Sequence, residues 1–265
     1  MIGKLYCFEI MKKWRSAKYL LLGYLGIQTL ILLITRAFLW NSELSNAFTI
    51  NGDPVTNNAS LPFILTMVLF FILAFLLGAF PFLEGIYRFE RDLSGKQAYL
   101  ELMIPAVSWK KVVAKLLATL SSLVVCGMVS LLSMFIYITV NFNAQAFIRE
   151  MLADISKNWL QVIPVLLYML FSFASSFMLI FFCITIAKSF THKNTIAVPI
   201  GIAAFLILCG LIAALGIQVG KVPLMEFRFI LLKMIVPLSR ILLDIVVFLA
   251  AIIGTSWLME KRVEH

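Results

Sequence analysis

Leu61-Pro62-Phe63-Ile64-Leu65-Thr66-Met67-Val68-Leu69-Phe70-Phe71-Ile72-Leu73-Ala74-Phe75-Leu76-Leu77-Gly78-Ala79-Phe80-Pro81-Phe82-Leu83 runs for 23 residues without one charged side chain. A helix rises about 1.5 Å per residue, so this run crosses the roughly 30 Å of hydrocarbon in a bilayer. It is too long for a barrel strand and lacks the strict two-residue alternation of one. Residues 19–40, 116–140, 160–187, 195–218 and 238–259 meet the same requirement, and six transmembrane helices are expected in all. The composition agrees. Of 265 residues, 62% are hydrophobic and 13% charged, against about 45–50% and about 25% in soluble domains. These figures exclude a disordered, disulfide-stapled or fibrous chain. The expected fold class is an all-α integral membrane protein forming a single transmembrane domain over residues 1–265.

Single polar residues do not veto a span. Arg36 costs at most about 3 kcal/mol on an insertion scale. The eight Leu and three Ile between Tyr19 and Leu39 offset it at about 0.5 kcal/mol each. The first span is longer than the apolar core of a signal peptide and no small-residue cleavage site follows it, so it is expected to stay in the mature protein.

The formal net charge of +9 is resolved by where the basic residues fall. Lys4, Lys12, Lys13, Arg15 and Lys18 precede the first span. Arg88, Arg91, Lys96, Lys110, Lys111 and Lys115 lie between the second and third. Lys188 and Lys193 follow the fourth, and Lys261 and Arg262 follow the sixth. Together these are 15 of the 22 Lys and Arg. The positive-inside rule places them in the cytoplasm, with both termini, and places the Lys- and Arg-free loop 41–60 outside. The basic balance then reads as topology, and no nucleic-acid partner is expected. A plasma membrane, bacterial in origin, is the expected location, with membrane lipids as neighbours.

Residues 1–16 read as an interfacial helix. At 100° per residue Tyr6, Cys7, Ile10, Met11 and Trp14 share one arc, and Lys4, Glu9, Lys12, Lys13 and Arg15 the other. Residues 84–115 form the longest cytoplasmic connection. Gly95 is a helix stop and Pro105 a break, which leaves a short helix at 96–103. Ser108 is positioned to cap the helix that becomes the third span. Tyr99, Leu100, Leu102 and Met103 need a surface to cover them, either the protein's own helix ends or a cytoplasmic partner.

The run Phe89-Glu90-Arg91-Asp92-x-x-Gly95-x-x-x-x-Leu100-x-x-x-x-Pro105-x-x-Ser108-x-Lys110-Lys111-x-x-x-Lys115 resembles the signature of ABC-2 type exporter permeases. That family shows an acidic-Arg pair and a Gly, a Leu-rich patch, then a Pro-Ser step followed by basic residues entering the third span. The six-span layout, the amphipathic N-terminus and the ending Trp257-Leu258-Met259-Glu260-Lys261-Arg262 agree with it. The chain departs from the pattern in having both Ala106 and Val107 between Pro105 and Ser108, where the family more often has one residue.

The resemblance implies that residues 1–16 are the elbow helix. It also implies that the region containing Gly95, Tyr99, Leu100, Leu102, Met103, Pro105 and Ser108 is a coupling helix seated on a separate ABC ATPase subunit. Glu90, Arg91 and Asp92 are the charges of that coupling segment, and the turn 188–194 is a second, weaker contact. Two permease copies, expected to be a homodimer, would enclose the pathway. No G-x-x-x-x-G-K-[ST] occurs in the chain, so ATP and Mg belong on the partner, and no cofactor and no enzymatic activity are expected here. Members of this size commonly export peptides such as bacteriocins or toxins, and exporters of phenol-soluble-modulin-like peptides are a particular version. An amphipathic peptide is therefore the first expectation for cargo. Small drugs or lipid-like molecules carried by the same architecture are the alternative.

The outer segment 221–237 is bounded by Pro223 and Pro237 and too short to span, which fits a re-entrant or surface helix. Arg240 and Asp244 lie one turn apart at the start of the sixth span, where charges are functional suspects. The plainer reading has Arg240 snorkel outward with Asp244 neutralising it. Arg36, Arg228, Lys233, Arg240 and Asp244 are the candidate residues of the substrate pathway, the four cations ringing the outer exit. Gln28, in mid-span, is expected to make an interhelical hydrogen bond. An intramembrane enzyme would need His or carboxylate clusters, yet the two His are His192 in a turn and His265, and no H-E-x-x-H occurs. An ion-coupled carrier or channel lacks a filter pattern, and Asp244 is the only acid within a span. Cys7, Cys126, Cys183 and Cys209 are scattered and predict neither disulfide nor zinc.

Overall fold

A computed structural model describes residues 2–40, 61–94, 106–142, 149, 153, 156, 159–191, 194–219, 228–231 and 234–263. The elements are α1 (Ile2–Trp40), α2 (Leu61–Asp92), α3 (Ser108–Phe142), α4 (Trp159–Phe190), α5 (Asn194–Val219), β1 (Arg228–Leu231), β2 (Met234–Pro237) and α6 (Leu238–Leu258). A π-helical turn, Met259–Val263, ends the described chain. Among the described residues six stretches are long and apolar enough to cross a membrane: Ala17–Ala37, Ile64–Asp92, Ser108–Val140, Val162–Phe190, Ile196–Val219 and Ser239–Lys261. The chain is a multi-pass, helical membrane protein.

Three segments differ in detail from the boundaries expected. Residues 2–16 are helical but not set off from the first span, because α1 runs unbroken from Ile2 to Trp40. Nothing between Ile10 and Lys18 is Gly or Pro, so no residue there favours a stop. The second-to-third connection is shorter than 84–115. Helix α2 continues to Asp92 and α3 already starts at Ser108, both carried beyond the apolar core by good helix formers such as Glu84, Arg88 and Lys111. The third lies within 221–237, where the described residues 228–231 and 234–237 pair antiparallel as β1 and β2. Their register sets Arg228 opposite Pro237 and Leu231 opposite Met234. The run Phe229-Ile230-Leu231 and the pair Ile235-Val236 are rich in the β-branched and aromatic types that suit a strand.

The chain divides into two compact units. One comprises residues 10–82 and 121–156, and is built on α1, the first part of α2 and the later part of α3. Its core holds Tyr24, Leu77 and Cys126 in one cluster and Ile31, Phe70 and Tyr137 in another. The Phe70 and Tyr137 rings stack at 4.0 Å. Polar side chains join its helices. Tyr24 Oη and Ser133 Oγ are 2.7 Å apart, and Ser130 Oγ donates to the Ala74 carbonyl at 3.0 Å. Gln28 Nε2 donates to the Phe70 carbonyl at 3.4 Å, the interhelical bond expected of it. Such bonds matter in a bilayer, where apolar side chains gain little by leaving lipid.

The other unit comprises residues 1–9, 83–120 and 157–265. Within it α4 packs against both α5 and α6. Of the most apolar stretch of α4, 44% is buried, whereas none of that of α5 is, so α4 is the central helix of its unit. Gly254 allows α6 to approach α4, since a Cβ there would lie 2.5 Å from the Phe182 ring. Leu22, Phe75, Leu131, Leu206, Val246 and Ile253 are exposed. So much exposed apolar surface suits a bilayer better than water.

Candidate functional site

The ends of α2, α3 and α4 in the second unit carry a set of buried ion pairs. Asp92 closes α2, where a carboxylate opposes the negative end of the helix dipole. Lys115 Nζ donates to the Asp92 carboxylate, and both side chains are buried. Glu9, also buried, lies 3.8 Å from the same Nζ, so one ammonium joins α1, α2 and α3. Lys188 of α4 pairs with Glu90 of α2 at 3.5 Å. One turn earlier, Arg88 reaches back to Glu84 at 2.6 Å.

Apolar packing backs this layer. Phe89 and Phe181 stack nearly parallel with centroids 4.0 Å apart, drawing α2 onto α4. Gly85 sits where α2 meets α3, and a Cβ there would come 2.5 Å from Thr119 Cγ2. Arg91 lies over the Tyr87 ring at 5.8 Å, and its buried Nε has no hydrogen-bond partner among the described residues. Ser108 is buried at the first residue of α3, beside a turn in which the Lys110 amide donates to the Val107 carbonyl at 2.9 Å. Gly95, Tyr99, Leu100, Leu102, Met103 and Pro105 lie outside the described residues.

A second polar group lies along the seam of α4 and α5. A cavity of about 250 Å³ is lined by Ser175, Ser176, Cys209, Arg240 and Asp244 among apolar neighbours. Asp244 is held from two sides. Tyr168 Oη donates to Oδ2 at 3.3 Å, and Arg240 Nε lies 3.6 Å from Oδ1. The Arg240 side chain is 55% exposed and that of Asp244 only 12%, so the cation snorkels and the carboxylate stays inside. Toward the Lys188 end, a largely apolar cavity of about 270 Å³ is lined by Ile86, Glu90, Ile184, Gly201 and Ile202 among others. Phe205 lines both cavities.

The structure thus brings Arg240 and Asp244 together. Arg36 is exposed and donates to the Val140 carbonyl at 2.6 Å, within the first unit. Arg228 heads β1, and Lys233 lies outside the described residues. Sequence reasoning reads Lys115 and Lys188 as topology charges and gives no role to Tyr168, Ser175 or Phe205. It puts Glu9 on the polar arc of a surface helix, yet Glu9 is buried while Met11 and Trp14 are exposed. The available signal is Glu9 standing as the sole acid among the five basic residues before the first span. Among the described residues no group of three His, Cys, Asp or Glu side chains is placed to hold a metal ion.

Comparison with family models, curated proteins and solved structures finds no match for the chain.

Proposed function

We propose that the chain is the membrane-spanning permease subunit of an ATP-driven exporter of the ABC-2 type, acting as a homodimer with a separate ATPase chain. The ATPase holds ATP and Mg at the cytoplasmic face, and an amphipathic peptide is the cargo. The observation that carries this reading is the buried pair of Asp92 and Lys115, with Glu9 on the same ammonium. These residues clamp both ends of the connection that bears the ABC-2-like motif. A push on that connection cannot be absorbed by fraying of α2 or α3, because separating a buried carboxylate from its cation is strongly unfavourable. The Glu90–Lys188 pair extends the same stiffness to α4. Closure of an ATPase dimer against residues 95–105 would then move helices as rigid levers between inward- and outward-facing states. The turn 188–194 serves as the lesser contact.

The test is purification of the tagged chain from its native membranes under mild detergent. A second polypeptide carrying the G-x-x-x-x-G-K-[ST] phosphate loop is expected to co-elute, and its gene to neighbour this one. Purification of the chain alone with undiminished transport would refute the proposal.

A further inference from the structure

We infer that the α4–α5 seam is a binding site for one amphipathic cation, its ammonium group on Asp244 and its apolar tail laid past Phe205 into the groove toward Lys188. Three observations carry this. The first is polarity at one end: the cavity holding Asp244 also presents Ser175, Ser176 and Cys209. The second is an apolar wall at the other: Ile86, Ile180, Ile184, Val198 and Ile202 line the adjoining groove, with Glu90 and Lys188, the only charged residues of the lining, paired with each other. The third is adjacency, because Phe205 belongs to both linings and turning its ring would join the two. On α4 the lining extends from Ser175 to Lys188, which is roughly 20 Å of helix. That length accommodates a dodecyl chain.

The sign of the ligand follows from which partner of the existing ion pair can leave. Asp244 is buried and also bonded to Tyr168, whereas Arg240 is mostly exposed and meets Asp244 at 3.6 Å, beyond a good hydrogen bond. An incoming ammonium can replace Arg240, which swings into the exposed position it already half occupies. An incoming anion would have to draw Arg240 away and leave a buried carboxylate without a counter-charge, which the membrane interior penalises heavily. Arg240 is on this account a resident competitor for the site. Naming the ligand as cargo rests on the exporter reading, but the binding itself needs no ATPase, so the two can fail separately.

The experiment uses the purified full chain in lipid nanodiscs, with dodecylammonium, dodecyl sulfate and dodecanol as ligands and empty discs subtracted. Wild-type protein is expected to bind dodecylammonium at least tenfold more tightly than the other two. Asp244→Asn should abolish that preference, and Arg240→Gln should leave dodecylammonium binding equal or tighter. A Cβ on Gly201 would sit 3.6 Å from the Ala187 Cβ at the groove wall, so Gly201→Leu should cut dodecylammonium binding while sparing hexylammonium. Thermal melting of each variant identifies any that fails to fold, and Tyr168→Phe serves as a second, milder probe of the Asp244 end. Preference for the sulfate lost in Arg240→Gln, or dodecylammonium binding unchanged in a folded Asp244→Asn, would overturn the inference.

Discussion

Lys115 of α3 and Asp92 at the end of α2 form a buried ion pair, with Glu9 of α1 3.8 Å from the same ammonium. Two carboxylates share one cation, so the removal of that cation is the severe change. Lys115→Met is expected to destabilise the protein by about 3–5 kcal/mol, because it removes the cation shared by two buried carboxylates. The triple variant Glu9→Gln, Asp92→Asn, Lys115→Met should recover much of that loss. Reversible unfolding in mixed micelles measures both, and a Lys115→Met protein as stable as wild type would remove the clamp from the account.

Gly85 tests the close approach of α2 and α3. An added methyl would come 2.5 Å from Thr119 Cγ2, and overpacking of this kind costs about 1–3 kcal/mol. Gly85→Ala should lower the melting temperature, and Thr119→Ser in the same chain should restore most of it by removing the clashing methyl. Additive effects of the two substitutions would show that they do not meet.

Tyr168 is expected to matter less for stability than its position suggests. Side-chain hydrogen bonds between spanning helices average about 0.6 kcal/mol, and the bond to Asp244 is 3.3 Å long. Tyr168→Phe should therefore cost under about 1 kcal/mol in the same unfolding assay.

Topology is open to a direct check. Cys7 is exposed at the N-terminal end of α1 and, if the basic ends face the cytoplasm, should react with an impermeant maleimide only after cells are permeabilised. Ser45→Cys, made in a chain that also carries Cys7→Ser, should react in intact cells. The reverse pattern would invert the assigned orientation.

Much of this fold is legible in the sequence, and the reason is chemical. Spanning a bilayer demands length and apolarity, properties of a contiguous segment, so all six spans can be located from residues alone. Gln28 is legible for a similar reason, since a lone amide in hydrocarbon must find a partner. The partners of Glu9, Asp92 and Glu90 are not, because they come from other helices and no periodicity within one helix names them. Faces are equally hidden. Leu206 on α5 and Phe181 on α4 are both apolar, yet one is exposed and the other buried, since lipid and protein core demand the same residue types. The hairpin of β1 and β2 is hidden because an apolar run shorter than a span reads as helix or strand with little to choose between them.

The motif region yields a functional prediction. Substitution of Leu100 or Pro105 should leave membrane insertion intact and ATP hydrolysis by the partner running, while transport falls. Hydrolysis and transport measured side by side in proteoliposomes check this, and unchanged coupling would remove the docking role from residues 95–105.

The central claim is that a separate ATPase drives cargo through this chain, and inverted membrane vesicles test it most directly. Vesicles holding the chain and its ATPase should accumulate a fluorescent amphipathic cationic peptide only when ATP and Mg are supplied. Accumulation should vanish when the ATPase chain is omitted. Equal accumulation without ATPase or ATP would contradict the account.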